Sequence, residues 1–497
     1  MKKSVFLLLG LLIVKISTKA QNQVFYGNLH SHTSYSDGSG IPEDAYKHAR
    51  DVAGLDFMAI TEHNHERAPS KIQTNPELYS GSIPVSLIST AKRYTENGRF
   101  VALYGQEFSS ISSGNHANVL EVNEVIETSE VKNGAWNDLL DSWLPSHQDS
   151  QGDKPILLLN HPATSSSPNY KEYGIDDYSG DRSAWLNSID KYAQLINIVN
   201  GPSHRSNKPP GKPSESEFLR YLNMGLHVAP TADQDNHLEN WGSAADTRTG
   251  VIADNLDKAS ILSSLRNRNV FATQDKNLKL LFRVNGELMG KIFDSNELPA
   301  TNSELDISIE VSDSDEPYAI YKIDIYKDVV GGDRAKVVNE IDLDGNQNVS
   351  IDGINFEGKN EYLFVKVTQT DDDGEIIDHA WSAPIWFSGS SNAPLSSAVE
   401  LSLNVDPFKE EATITNIGDV SIDLKGWELI SEKGNQTFTF KNSKKLEPSD
   451  FVVVTSGKNA KSGNEFIKWT ESFIWSNNSP DKGILKNESG HVIVTTE

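Results

Sequence analysis

Short apolar, strand-like runs in the first half of this chain repeatedly meet histidines and carboxylates at one end. Tyr26 to Leu29 leads into His30-Ser31-His32 and on to Asp37, and Leu55 to Thr61 stops at Glu62-His63-Asn64-His65. Phe100 to Gly105 stops at Gln106-Glu107, and His116 precedes the run Ala117 to Leu120. Pro155 to Asn160 stops at His161, and Leu226 to Pro230 leads to Asp233, Asp235 and His237. Eleven of the thirteen histidines precede residue 240, so the pattern belongs to one half of the chain. Side chains alternate along a strand, which puts His30 and His32 on one face. Paired imidazoles with carboxylates in reach can grip a divalent metal. Ligand types placed just after successive apolar strands imply a site at the carboxyl end of a barrel or sheet.

Helix-like segments fall between these runs: Pro42 to Ala53, Ser86 to Glu96, Ala135 to Leu144, Glu215 to Met224, and Asp254 to Arg268 with Asp254-Asn255 as its cap. Strand followed by helix, repeated, predicts a parallel α/β architecture. Loops such as Ser165 to Asn169 and Ser203 to Ser214 fall on the site side, where substrate choice is expected to reside. From about residue 279 the period changes to two. Leu305, Ile307, Ile309 and Val311 alternate with polar residues, as do Ile323 and Ile325, and Leu363, Val365 and Val367. Turn signals follow at Asp344-Gly345-Asn346 and Asp371 to Gly374, which predicts an antiparallel, immunoglobulin-like sandwich over 279–387. Asp371 to Asp373 is read as an acidic hairpin turn rather than a calcium site, and Trp381 and Trp386 as packing residues. Ser388 to Ser397 has a linker's composition.

Met1-Lys2-Lys3, an apolar run from Ser4 to Val14 and the small residues Thr18 and Ala20 describe a secretory signal peptide over 1–20. The expected location is therefore secreted or periplasmic, and no segment is long enough to span a bilayer as a helix. With no cysteine, disulfides and thiolate metal sites are excluded. The net charge of −25 argues against stable nucleic-acid binding, which needs a basic groove.

In order along residues 22–278, the His-x-His, the Asp, Thr61-Glu62-His63, Gly105-Gln106-Glu107, His116, Asn160-His161-Pro162 and Asp235-Asn236-His237 resemble the PHP (polymerase and histidinol phosphatase) superfamily, and within it the carbaryl-hydrolase-like branch. Glu62 stands where many members carry Asp. The resemblance implies a distorted seven-stranded, TIM-like β/α barrel over 21–278 with two or three divalent ions. It implies one ion on His30, His32, Glu107 and Asp235, a second on Asp37, His63 and His237, and a third on Glu107, His116 and His161, with Glu107 bridging. Histidine and carboxylate without sulfur suits Zn, Mn or Fe better than Mg. A shared carboxylate brings two cations to ~3.5–4 Å, where a bridging water becomes a hydroxide nucleophile. Asp233 is the alternative ligand to Asp235, His65 and His204 are candidate general acids, and Arg67, Arg205 and Arg248 are candidate anion clamps.

Beyond the linker, Ala412 to Gly418, Asp423 to Leu429 with Leu424-Lys425-Gly426-Trp427 at its centre, and Phe438 to Phe440 resemble the lamin-tail domain, a small β-sandwich expected over 398–497. The expected function is a secreted metal-dependent phosphoesterase acting on mono- or diesters. The alternatives are a carboxyl or carbamate ester hydrolase, and a non-catalytic surface or polysaccharide binder. Attachment to a cell surface or polysaccharide falls to the C-terminal domains.

Overall fold

The structure, a computed structural model, describes residues 22–65, 70–108, 115–127, 130–131, 135–162, 172–179, 181–204, 209–332, 335–371, 373–388, 401–416, 421–447, 450–463, 465–477, 481–487 and 492–496. The expected signal peptide, Arg67, Arg205, His491 and nearly all of the 388–397 linker lie outside them.

Among the described residues nine strands form the framework of the first half: β1 (Gln23–Asn28), β2 (Phe57–His63), β3 (Val101–Phe108), β4 (Ala117–Leu120), β5 (Ile156–Leu159), β6 (Ala193–Asn200), β7 (Ala229–Asp233), β8 (Arg248–Ala253) and β9 (Val270–Thr273). Their order in the sheet is β9-β8-β1-β2-β3-β4-β5-β6-β7. β1, β2 and β3 are parallel, as are β5, β6 and β7, but β4 runs antiparallel to both its neighbours and β8 antiparallel to β1 and β9. The sheet is therefore mixed, not the wholly parallel one expected. The link from Phe108 to Ala117 is shorter than the dozen or so residues a parallel crossover needs, so the chain turns back. At the far edge Thr249 of β8 reaches β7, its hydroxyl accepting from the Ala232 amide at 3.1 Å.

Every residue of β2 and β3 is buried, as strands covered on both faces require. Phe57 and Ala59 face a core shared with Leu29, Leu103, Leu158 and Val251, while Met58 and Ile60 face Ala45, Tyr46 and Leu87. The helix Pro42–Asp51 opens on a proline whose missing N–H is not needed there, with Glu43 and Asp44 in the first turn. Leu87–Tyr94 is capped by Ser86. Lys258–Arg266 is capped by Asp257, three residues later than the Asp254-Asn255 start expected. The segment 136–146 is helical but widened through Leu139–Trp143, and Arg182–Ile189, capped by Asp181, was not anticipated.

The second half continues with β10 (Lys279–Val284), β11 (Glu287–Leu288), β12 (Ile292–Phe293), β13 (Ile307–Ser312), β14 (Ile320–Val329), β15 (Lys336–Asp344), β16 (Gln347–Ile351), β17 (Glu361–Thr370), β18 (Ile376–Ser382) and β19 (Ile385–Phe387). One sheet has the order β11-β10-β13-β16, and its alternating Ile307, Ile309 and Val311 face Ile323, Val365 and Val367 of the other. That other sheet does not stop at the expected boundary. Ala380, Trp381 and Ser382 of β18 pair with Thr273, Ala272 and Phe271 of β9, so hydrogen bonding runs unbroken from the first half into the second. Trp381 and Trp386 are buried in one apolar cluster with Phe218, Tyr221 and Leu222 of the helix Glu215–Met224. The Tyr362 hydroxyl donates to Asn223 at 2.6 Å and Lys366 to Glu215 at 2.6 Å. At the β17–β18 hairpin, Asp371 Oδ1 accepts from the amides of Asp373 and Glu375, an acidic turn as expected.

Residues 401–496 pack two four-stranded sheets around Leu403, Ile414, Leu424, Trp427, Leu429, Val452, Trp475 and Leu485. No helix among the described residues is long and apolar enough to cross a membrane.

Candidate metal centre

His30 and His32 follow β1 with both rings wholly buried, their Nε2 atoms 3.1 Å apart. The turn behind them is tight. A Cβ on Gly38 would stand 2.7 Å from the His32 carbonyl carbon, so only glycine lets the 33–38 loop fold back on the histidine. Trp241 fixes the same peptide by donating to the His32 carbonyl at 2.9 Å. Asn28 ties β1 to the last motif, donating to Asn236 Oδ1 at 3.0 Å and accepting from the Gln234 amide.

Glu107, at the end of β3 and 1% exposed, is the hub. Its Oε1 lies 3.3 Å from His30 Nε2, 3.2 Å from His116 Nδ1 and 3.3 Å from His161 Nε2. Its Oε2 lies 2.7 Å from His63 Nδ1 and 3.6 Å from His32 Nε2. Asp235 Oδ1 stands 3.3 Å from His30 Nε2 and 3.2 Å from His32 Nε2. Asp37 Oδ1 faces His63 Nε2 at 3.5 Å and His237 Nε2 at 3.3 Å. All nine ligands expected from the sequence thus converge. The groupings overlap more than expected: His32 sits with Asp37, His63 and His237 as well as with His30 and Glu107, and His63 with Glu107 and His116.

The donors fit divalent ions. Asp37 Oδ1 and His237 Nε2 are buried and 3.3 Å apart, yet neither is in hydrogen-bond geometry with a partner, as two lone pairs aimed at a common cation would be. His161 (φ 30°) and Asp235 (φ 51°) hold left-handed backbone, a strain of ~1–3 kcal/mol that persists where the surroundings demand it. Burial and the neighbouring His63 and His237 push His32 down to about 3, so its ring is neutral at neutral pH, the state in which an imidazole can bind a metal. Burial alone would lower His63 too, but Glu107, Asp37 and Asp235 overcome it and hold His63 up to about 9. Burial works against the charged forms of Glu107 and Asp235 as well, and the surrounding imidazoles still keep both carboxyls well below the usual carboxylate range.

Several expected roles change. Asp233 is not among the clustered ligands. It is spent on structure, accepting from the Leu29 amide at 2.6 Å, Asn197 Nδ2 at 3.1 Å and the Thr249 hydroxyl at 3.1 Å. Arg248 donates through Nη1 to the carbonyls of Ala245 and Thr247, both at 2.8 Å, which ties down the loop entering β8 rather than clamping an anion. Burial, with His63 and His116 beside it, pushes His65 down to about 4. At neutral pH His65 is therefore unprotonated and not the general acid, and bound cations would only deepen that shift. His204 lies against His237, its ring tilted by 34° with centroids 3.7 Å apart.

Residues given no role from the sequence complete the site. Asn160 donates to Glu107 Oε1 at 2.9 Å and to Asn118 Oδ1 at 2.8 Å, which fixes the carboxylate plane. Glu62 is no ligand. Its carboxylate accepts from the Thr33 amide at 3.0 Å and from the hydroxyls of Thr33 and Ser36, buckling the loop between His32 and Asp37. The extra methylene over aspartate gives it that reach. Burial raises Glu62 to about 7 against those hydrogen bonds. Asn160 precedes His161, and Glu62 precedes His63, so adjacency to a ligand was the available signal for both.

Residues 397–497 match the Lamin Tail Domain family. The tail is a lamin-tail domain. Solved structures similar to part of this chain include a two-domain protein from Bacteroides vulgatus containing a predicted PHP-like metal-dependent phosphoesterase, at 14% identity and TM-score 0.37, covering 73% of this chain and 95% of that one. Another is a protein from Bifidobacterium adolescentis assigned as a metal-dependent phosphoesterase, at 13% identity and TM-score 0.25, covering 42% of this chain and 87% of that one. No curated protein matches the chain.

Proposed function

We propose that residues 22–278 form a distorted PHP-type barrel that hydrolyses phosphate mono- or diesters with two or three divalent ions, and that residues 1–20 direct its export. The observation that carries this reading is Glu107: one buried carboxylate met by five imidazole nitrogens, with Asp235 and Asp37 completing the ring. His30, His32, Glu107 and Asp235 would hold one ion, Asp37, His63 and His237 a second, and His116 and His161 with Glu107 a third. Such ions would supply Lewis-acid polarisation of a phosphoryl oxygen and would lower the pKa of a nearby water toward neutrality, the chemistry expected from the sequence. A dense imidazole–carboxylate set with no thiol suits Zn, Mn or Fe.

The chain's own residues do the positioning. Asn160 and Asn118 hold the Glu107 carboxylate plane, and Glu62, through Thr33 and Ser36, holds the loop that carries Asp37. His65 lies buried and neutral beside His63, with ring centroids 5.5 Å apart. The test is hydrolysis of bis-p-nitrophenyl phosphate, p-nitrophenyl phosphate and p-nitrophenyl acetate by the full chain, with and without added Mn or Zn. Metal-dependent turnover of a phosphate ester supports the reading. Turnover of the acetate alone would replace it with the carboxyl-ester alternative.

A further inference from the structure

A second group of oxygen ligands lies at the junction of the two halves, and it owes nothing to the histidine centre. Asp275 follows β9, Asp313 follows β13, and Glu316 lies in the next turn. One carboxylate oxygen from each comes within 4.8 Å of the others. Asp275 is 8% exposed and Asp313 not at all, an arrangement that like charges oppose unless something neutralises them. Two of these carboxylates are locked in place. Asp275 Oδ1 accepts from the Asn277 and Leu278 amides, both at 2.6 Å, and Asp313 Oδ1 from the Asp315 amide at 2.9 Å and the Glu316 amide at 3.2 Å.

The independent observation is Gln369. It is wholly buried on β17, and its Nε2 donates to Asp313 Oδ2 at 3.3 Å, which sets its amide head in the cluster. Its Oε1 has no hydrogen-bond partner. A buried amide oxygen is seldom left without a donor or cation, so the bare Oε1 beside these carboxylates points to an absent electrophile. Glu316 Oε2 is likewise buried, and its side chain meets another carboxylate, that of Asp313. On the strands flanking β17, Tyr321 and Asp378 stand in register with Gln369, which puts a further carboxylate and a phenol ring on the same face. Burial, reinforced by Asp275, Asp246, Glu316 and Asp313, pushes Asp378 up to about 7. Two cations are near: Arg248, beside Asp246 and Asp275, and Lys276, whose Nζ is 3.1 Å from Asp315.

We infer that Asp275, Asp313, Glu316 and the Gln369 amide oxygen, with Asp378 beside them, form a calcium site that staples the first half of the chain to the β-sandwich. The donors are all oxygen, which selects a hard cation. Carboxylates mixed with an amide carbonyl, held on separate loops, suit calcium's six to eight flexible ligands better than magnesium's strict octahedron. Because Asp275 belongs to the first half and Asp313, Glu316 and Gln369 to the second, the ion adds a cross-link where β9 already pairs with β18.

The experiment compares the full chain with a Glu316→Gln/Asp378→Asn variant in chelator-resin-treated buffer, with Ca2+ or Mg2+ added at matched ionic strength. Isothermal titration with Ca2+ should show one more equivalent bound by the wild type than by the variant, with Kd on the order of 10⁻⁴ M or tighter. A tenfold excess of Ca2+ over Kd should raise the wild-type Tm by a few degrees and leave the variant unmoved. Without Ca2+ the variant should melt at or above the wild type, since repelling carboxylates have been removed, and this shows that it folds. Tb3+ luminescence sensitised by Tyr321 should appear in the wild type and fade in the variant. No Ca2+ response in the wild type, or an equal response in both proteins, overturns the site.

Discussion

Glu107→Gln is the substitution on which the metal centre stands or falls. The change keeps the shape and one carbonyl oxygen, so Asn118 and Asn160 retain their places. Among the described residues it removes the only carboxylate in ion-pair contact with His116 and His161, and one that stands 2.7 Å from His63 Nδ1. A unit charge about 4 Å from a cation at an effective dielectric near 20 is worth ~4 kcal/mol. The retained amide oxygen restores part of that, which leaves a loss of ~3–4 kcal/mol, or about 10²–10³ in affinity for an ion held there. Because Glu107 is the shared ligand, the loss falls on more than one ion, and hydrolysis should drop more than ~100-fold. The assay is metal content by plasma mass spectrometry after reconstitution with Mn or Zn, read beside turnover of bis-p-nitrophenyl phosphate. Circular dichroism serves as the fold control. A folded Glu107→Gln protein with full metal content and activity within tenfold of wild type would refute the bridging argument.

Asp233→Asn and Asp235→Asn should separate structure from ligation. The first turns an N–H toward either the Leu29 amide or Asn197 Nδ2 and should cost ~1–3 kcal/mol in urea melts with metal retained, while the second should lose metal with little change in the melt. Glu62→Asp should shorten the buckle so that it cannot hold Thr33 and Ser36 together, lowering stability by ~1–3 kcal/mol and weakening metal retention at Asp37. Asp378, pushed up to about 7 from an unfolded value near 4, binds its proton more tightly in the folded state. In calcium-free buffer its contribution to stability is therefore present at low pH and lost as pH rises through about 7. The wild-type Tm should fall relative to Asp378→Asn over that window, and calcium should abolish the difference. Removing residues 401–497 should leave turnover on a small substrate nearly unchanged, whereas ending the chain at 278 should unfold it, since β9 would lose β18 and the Trp381 and Trp386 contacts.

Much of the fold was legible because burial writes periodicity into sequence. Ile307, Ile309 and Val311 alternate with polar residues since only one face of β13 meets the core, whereas β2 and β3 read as continuous apolar runs since both faces are covered. Strand direction was not legible. Nothing in Ala117 to Leu120 distinguishes an antiparallel strand from a parallel one, and only the short link from Phe108 marks the reversal. The continuity of β9 with β18 was hidden for a related reason: pairing between residues 271–273 and 380–382 is a long-range register with no local signature.

The histidine centre was legible because its chemistry restricts residue type: few side chains bind transition ions, and eleven of thirteen histidines crowded into one half of the chain point to them. What the ligands lean on was not, because Asn160, Asn118, Asp233 and Glu62 do ordinary hydrogen bonding that any polar residue near a strand end could do. Asp233 and Asp235 show the difference most clearly. Two residues apart, they share a residue type and a neighbourhood, yet the step to left-handed backbone at Asp235 (φ 51°) turns its carboxylate toward His30 and His32 while Asp233 faces the Leu29 amide. The sorting of ligand from girder is a backbone event. A substitution that straightens that turn, such as Asp235→Val, should therefore lose metal beyond what Asp235→Asn loses, and metal content equal in the two variants would place the effect in the carboxylate charge alone.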